Sequence, residues 1–273
     1  MKGMISFLFI LLIMPLGHAV MIIIERYYES YMVPAAAALA LLGIAITVAT
    51  RWVASEGWQS LMGALGGVLM WTGGAEYGFV FAARRFHVPP VGTTKGEYML
   101  MEYTWGILIP ATLYILFQES IRCSPVLWLR RKLHLMRKSI AAGPIHNYGP
   151  RVAFEMTMVL WFCYVIMLIA YDIGVHSWAT YLLFIVALGG GAYALYQLYH
   201  KKAWGIAIRY AIPTVVIVWI DVEILGKWGV FTEPWIVLNK PIMISILLAF
   251  LFMAYLLVDN LREQRKQRIA QSH

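Results

Sequence analysis

Apolar residues run in long blocks, separated by short clusters of charge, proline and glycine. The blocks fall at 4–24, 32–52, 59–82, 103–120, 152–172, 178–198, 204–222 and 238–258. About 20 apolar residues, rising 1.5 Å each as a helix, cross the hydrocarbon core of a bilayer. Such a span must be helical, because lipid offers no partner to a free backbone N–H or C=O. The pattern therefore predicts an all-α polytopic transmembrane helical bundle of about eight spans, one integral membrane domain over 1–273. The block at 59–82 is the most polar and that at 103–120 the shortest.

Composition agrees: 61% of residues are hydrophobic, 13% are charged and the mean hydropathy is +0.70. Charge then sets orientation, since Lys and Arg collect on the cytoplasmic side. With eight spans and both termini on one side, only six of the 22 Lys and Arg residues fall on the opposite side: Arg26, Arg84, Arg85, Lys95, Lys227 and Lys240. Of the 14 acids, only Glu56, Glu119, Glu155, Asp259 and Glu263 share the basic side. The expectation is an integral protein of a bacterial inner membrane with cytoplasmic N and C termini. The net charge of +8 reports topology and anionic lipid, with no sign of nucleic-acid binding. Residues 1–19, ending in Pro15-Leu16-Gly17-His18-Ala19, have the look of a secretory signal. Apolar residues continue to Ile24, however, so the segment is read as the first span.

A basic loop at 121–151 divides the chain into two halves of four spans. Four is even, so a repeat would be parallel, and nothing beyond an acid in spans three and seven suggests one. Within this loop Val126–Met136 reads either as an interfacial amphipathic helix or as a loop that only fixes orientation. Two longer connections on the opposite side, 83–102 and 223–240, mix aromatics with turn residues, as segments at headgroup level do. Thr94-Lys95-Gly96-Glu97 has capping-box spacing and predicts a helix running through Glu102 into span four. Gly63-xxx-Gly67 and Gly74-xxx-Gly78 predict helix packing along one face of span three. Pro15, Pro110, Pro213 and Gly189-Gly190-Gly191 are places where spans can kink.

The acids converge toward the less basic side. Glu76, in Trp71-Thr72-Gly73-Gly74-Ala75-Glu76-Tyr77-Gly78, lies eight residues before Arg84 and so about 12 Å deeper. An acid at that depth is costly, which makes it the first candidate for function. It is assigned as general acid, with Glu102 or Asp221 as base or charge stabiliser. His18, Tyr77, Tyr103 and Glu223 share the layer as candidate substrate-binding groups. The competing reading of Glu76 is a hydrogen bond to a neighbouring helix, and that of His18 is a helix–helix contact. Asp172 and His176, at i and i+4, can bind a metal or simply end a helix, and the second is favoured. Glu155 with Arg151, and Glu119 with Arg122, have the spacing of structural ion pairs.

No metal and no cofactor is expected. The chain has no HxxxH, HExxH or CxxC and no phosphate-binding loop, and Cys123 and Cys163 are far apart in sequence. Three functions remain. One is a cofactor-independent enzyme acting on a lipid or isoprenoid by carboxylate acid/base chemistry. Another is a proton-coupled small-molecule transporter. The third is a non-catalytic subunit that contacts other membrane proteins.

Overall fold

The computed structural model describes residues 1–90, 95–117, 124–135 and 147–271. Among them the chain forms helices and no strand: α1 (Lys2–Tyr27), α2 (Met32–Ala49), α3 (Glu56–Met70), α4 (Tyr77–Arg85), α5 (Gly96–Glu102), α6 (Trp105–Phe117), α7 (Ser124–Lys132), α8 (Gly149–Ile173), α9 (Trp178–Tyr199), α10 (Trp204–Lys227) and α11 (Lys240–Gln271). The protein is an all-α polytopic helical bundle. Among the described residues, six segments are long and apolar enough to cross a membrane: Lys2–Tyr27, Glu29–Trp52, Gly149–Ile173, Trp178–Tyr199, Trp204–Lys227 and Lys240–Glu263. Taken together, α5 and α6 make a seventh, bent by 43°. Large apolar side chains stand exposed along these helices, among them Leu41, Ile185, Val186, Leu248 and Phe252. Such surfaces fit lipid contact and an integral membrane location.

The block expected at 59–82 is not one regular helix. It is divided among α3, a π turn at Trp71–Glu76 and α4. A π turn widens the backbone by one residue and is a common device at functional sites. Its cause is visible in the packing on either side. Gly63 and Gly67 press α3 against α8, where an added Cβ would stand 2.5 Å from the Gly149 carbonyl oxygen and 2.8 Å from Met156 Cβ. Gly43 and Gly66 bring α2 and α3 together in the same way. Beyond the turn, Tyr77 and Val80 pack with Met21, Met32 and Ala36 of α1 and α2. Gly74 and Gly78 meet nothing within 4 Å, so the packing role expected for the second glycine pair is corrected. The π turn rotates that pair away from the contact face.

The helix expected to run through Glu102 into span four is likewise interrupted. No side chain caps α5 at its start, and Thr94 lies outside the described residues. The break follows Glu102, where the Thr104 hydroxyl donates to the Met101 carbonyl and accepts from the Trp161 indole N–H at 2.7 Å. A threonine side chain that competes for backbone carbonyls ends a helix. Within the basic loop, α7 is helical over Ser124–Lys132. Its buried Arg130 donates to the carbonyls of Leu116 at 2.6 Å and Ile115 at 2.5 Å. A cation thus closes the C-terminal end of α6, where carbonyls lack helical partners. Glu119, Arg122 and Cys123 lie outside the described residues.

The core runs through α1, α3, α8 and α10. Ile10, Ala64, Val152, Met156, Ala207 and Ile208 are 2% exposed or less. At the end of the bundle holding the start of α1, Arg209 donates to Glu56 at 2.7 Å and Ser60 at 3.0 Å and stacks on the Tyr148 ring. The end of α1 and the 228–239 loop lie at the opposite end. The polar site lies between the apolar core and that loop.

Candidate functional site

Three long helices and the π turn bring the site together. α1 supplies His18, the π turn Glu76, α8 Tyr164 and Tyr171, and α10 Trp219 and Glu223. His18 sits one turn past Pro15, in a helix that packs on both α10 and α11. Its Nε2 lies 3.4 Å from Glu223 Oε1 and 3.3 Å from the Tyr164 hydroxyl. Its ring stacks on Trp219, with centroids 5.9 Å apart. The Trp219 indole N–H donates to the same Glu223 oxygen at 2.8 Å, one helical turn away on α10. The carboxylate is therefore held from its own helix and presented to α1.

Two cavities meet at His18 and Tyr164. The smaller, about 30 Å³, is lined by Glu76, Thr72, Trp71 and Gly17 together with those two residues. The larger, about 110 Å³, extends toward the 228–239 loop and is lined by Tyr98, Tyr171, Glu223, Lys227 and Glu233. Glu76, His18, Tyr164, Glu223 and Glu233 thus form a line of ionisable groups leading inward from the loop. In that loop, the Trp235 indole N–H donates to Glu233 at 3.0 Å, and Trp235 packs on Trp219 at 5.1 Å. Burial pushes the Glu233 carboxyl above the usual carboxylate range, and the nearby Glu223 adds to this. The Trp235 hydrogen bond, Lys227 and His18 pull the other way. The other walls of the smaller cavity are apolar, with Ile13, Met14, Val68 and Leu160.

No known protein family, curated protein or solved structure matches this chain. The site is read from its own atoms.

Of the seven site residues expected from sequence, Glu76, His18 and Glu223 come together. The other four do not line these cavities. Tyr77 is 2% exposed and its hydroxyl reaches the Met21 carbonyl at 3.4 Å, within the packing between α1 and α4. Tyr103 is 70% exposed at the α5–α6 break. Glu102 is half-buried at the end of α5. Asp221 is buried on α10, two residues before Glu223, with Oδ1 lacking a hydrogen-bond partner. Two residues along a helix turn the side chain by about 200°, so Asp221 and Glu223 present different faces.

Tyr164, Tyr171, Trp219 and Glu233 are the site residues the sequence did not single out. Trp219 and Glu223 at i and i+4 carry the one local signal, since such pairs meet on a helix surface. Among the described residues, no group of three or more His, Cys, Asp or Glu side chains is arranged to hold a metal ion. Asp172 and His176 are both exposed, and the His176 ring stacks on Trp228. The groups that do converge can accept, hold and donate protons next to an apolar wall.

Proposed function

We propose that the protein is a cofactor-independent membrane enzyme that acts on a lipid or isoprenoid by acid/base chemistry at this site. The supporting observation is the cluster of Glu76, His18, Tyr164 and Glu223 around joined cavities with apolar walls. Glu76, the innermost group, is the proton donor to the reacting carbon or oxygen. His18 and Glu223 return the proton, and Tyr164 sets the His18 ring by its 3.3 Å approach. A carboxylic acid in a site shielded from water can protonate an alkene or an oxygen leaving group. Isomerisation, hydration and cyclisation are the reaction types of this kind. The Lys and Arg bias favours cytoplasmic termini, which would put the site in the outer leaflet.

The line of ionisable groups also favours a second reading, proton-coupled carriage of a small molecule. Against it, Arg209 and Glu56 at the opposite end of the bundle are paired with each other rather than continuing the line, and carriage requires access from both sides.

The test compares lipid extracts of cells expressing the wild type and Glu76→Gln, each protein also checked for folding. A new or shifted lipid species that needs Glu76 supports the enzyme. A folded Glu76→Gln protein giving the same species as wild type overturns it. Proton-dependent uptake into proteoliposomes, with unchanged lipids, would move the assignment to a transporter.

A further inference from the structure

The charges lining the larger cavity restrict what its ligand can carry. Glu223 and Glu233 line it directly, and Glu76 lies just beyond the shared His18 and Tyr164. Against Glu223 and Glu233 stands Lys227, whose side chain is exposed, and no arginine lines either cavity among the described residues. Phosphate and carboxylate ligands are held by arginine forks, lysines or helix N-termini. Here the lining presents acids where a phosphate would need cations, and like charges brought together out of water are strongly repelled.

The neutral groups lining the cavity are hydrogen-bonding ones. Tyr98, Tyr164 and Tyr171 line it, the Tyr164 hydroxyl already lying 3.3 Å from His18 Nε2. The Tyr171 hydroxyl is buried and has no hydrogen-bond partner in the protein. A buried hydroxyl without a partner costs free energy unless a bound molecule supplies one. The remaining walls are apolar, with Met167, Leu168, Val175 and Ile236. A narrow apolar seam between α8 and α10 leads away at Tyr164 and Met167 and reaches Cys163. Cys163 also borders an apolar crevice of about 290 Å³ among α6, α7, α8 and α10. The polar groups thus border apolar side chains, the surroundings that the first carbons of a hydrocarbon chain would meet.

We infer that this cavity takes the uncharged, oxygen-bearing head of an isoprenoid alcohol, with Tyr171 as a binding residue, and that it rejects the phosphorylated form of the same chain. This rests on the enzyme reading and narrows its substrate class. The alcohol head accepts a hydrogen bond from the Tyr171 hydroxyl and donates to a carboxylate oxygen of Glu223 or Glu233. A phosphate in its place would set two further negative oxygens against those acids.

The test uses the full chain in detergent with geranylgeraniol and geranylgeranyl monophosphate as probes, read by native mass spectrometry and thermal unfolding. The alcohol should bind and raise the unfolding temperature, as any ligand selective for the folded state does. The phosphate should bind at least about tenfold more weakly. Tyr171→Phe should weaken alcohol binding about tenfold, the scale of one lost hydrogen bond. The same variant without ligand should be as stable as wild type or more so, because it removes only an unpaired hydroxyl. Equal or tighter binding of the phosphate would overturn the inference and leave the acid/base enzyme standing. Unchanged alcohol binding by Tyr171→Phe would remove Tyr171 from the site and with it the inference. Binding of neither probe would overturn both the inference and the isoprenoid reading.

Discussion

His18 and Glu223 stand 3.4 Å apart and join the first helix of the chain to the tenth. Neither residue has a neighbour in sequence that demands this contact. It arises because Trp219 fixes the Glu223 carboxylate from below and stacks on the His18 ring. The pair is thus the point where chain ends far apart in sequence become one site.

A double-mutant cycle should measure that link. His18→Gln and Glu223→Gln should each lower thermal stability in detergent, and the double variant should lose less than the sum. The coupling expected for a partly buried pair in direct contact is about 0.5–3 kcal/mol. Strict additivity would mean that the two side chains do not meet in the folded protein.

Glycines on the two sides of the π turn should respond in opposite directions. Gly67→Ala places a Cβ 2.8 Å from the Ala153 carbonyl oxygen and Met156 Cβ, and should destabilise by about 1–3 kcal/mol. Gly78→Ala enters open space on a helix and should stabilise by up to about 1 kcal/mol. Unfolding curves of the two variants beside wild type decide the matter. A neutral Gly67→Ala would mean that α3 and α8 are further apart than described.

Glu233 makes stability depend on pH. Its carboxyl titrates above the unfolded value of about 4.3, so the folded protein binds this proton more tightly than the unfolded chain. The resulting stabilisation is complete below about 4.3 and is lost as pH rises through the raised folded value. As pH is lowered in steps from neutral, the unfolding temperature of Glu233→Gln should therefore drop further, or rise less, than that of wild type. The wild type should gain on acidification relative to the variant. A difference between them that is independent of pH would remove Glu233 as the source.

Arg130 should matter more to α6 than its place in a basic loop implies. Arg130→Met removes the donors to the Ile115 and Leu116 carbonyls and should cost about 1–3 kcal/mol. Hydrogen exchange should quicken in the last turn of α6 and change little in α3. Uniform protection along α6 in the variant would show that other groups hold that end.

The architecture was legible in the sequence because it rests on hydrophobic runs, which each residue declares separately. Glu76 and His18 were legible for the same reason, as polar groups placed where lipid-facing helices do not tolerate them. Tyr164 and Trp219 were not, because a tyrosine or tryptophan inside a span looks the same whether it faces lipid or a carboxylate. Only the rotation of α8 and α10 distinguishes these cases. The break after Glu102 was hidden because it depends on Trp161, 57 residues away from Thr104. Tyr77 shows the converse: a hydroxyl next to Glu76 in sequence points to a different neighbour once the helix turns.

The segment around Glu76 behaves like a dislocation in a crystal row. On one side the row is in phase with α8, through Gly63 and Gly67; on the other it is in phase with α1 and α2, through Tyr77 and Val80. One residue of a helix is about 100° of rotation, and the surplus residue of the π turn absorbs a mismatch of that order. Removing any one residue between Trp71 and Glu76 would restore a regular helix and put one of its two faces out of step. Within the turn itself Gly73 is pressed on α2, where an added Cβ would stand 2.4 Å from the Ala36 carbonyl oxygen, and that contact sets the angle at which the acid is presented.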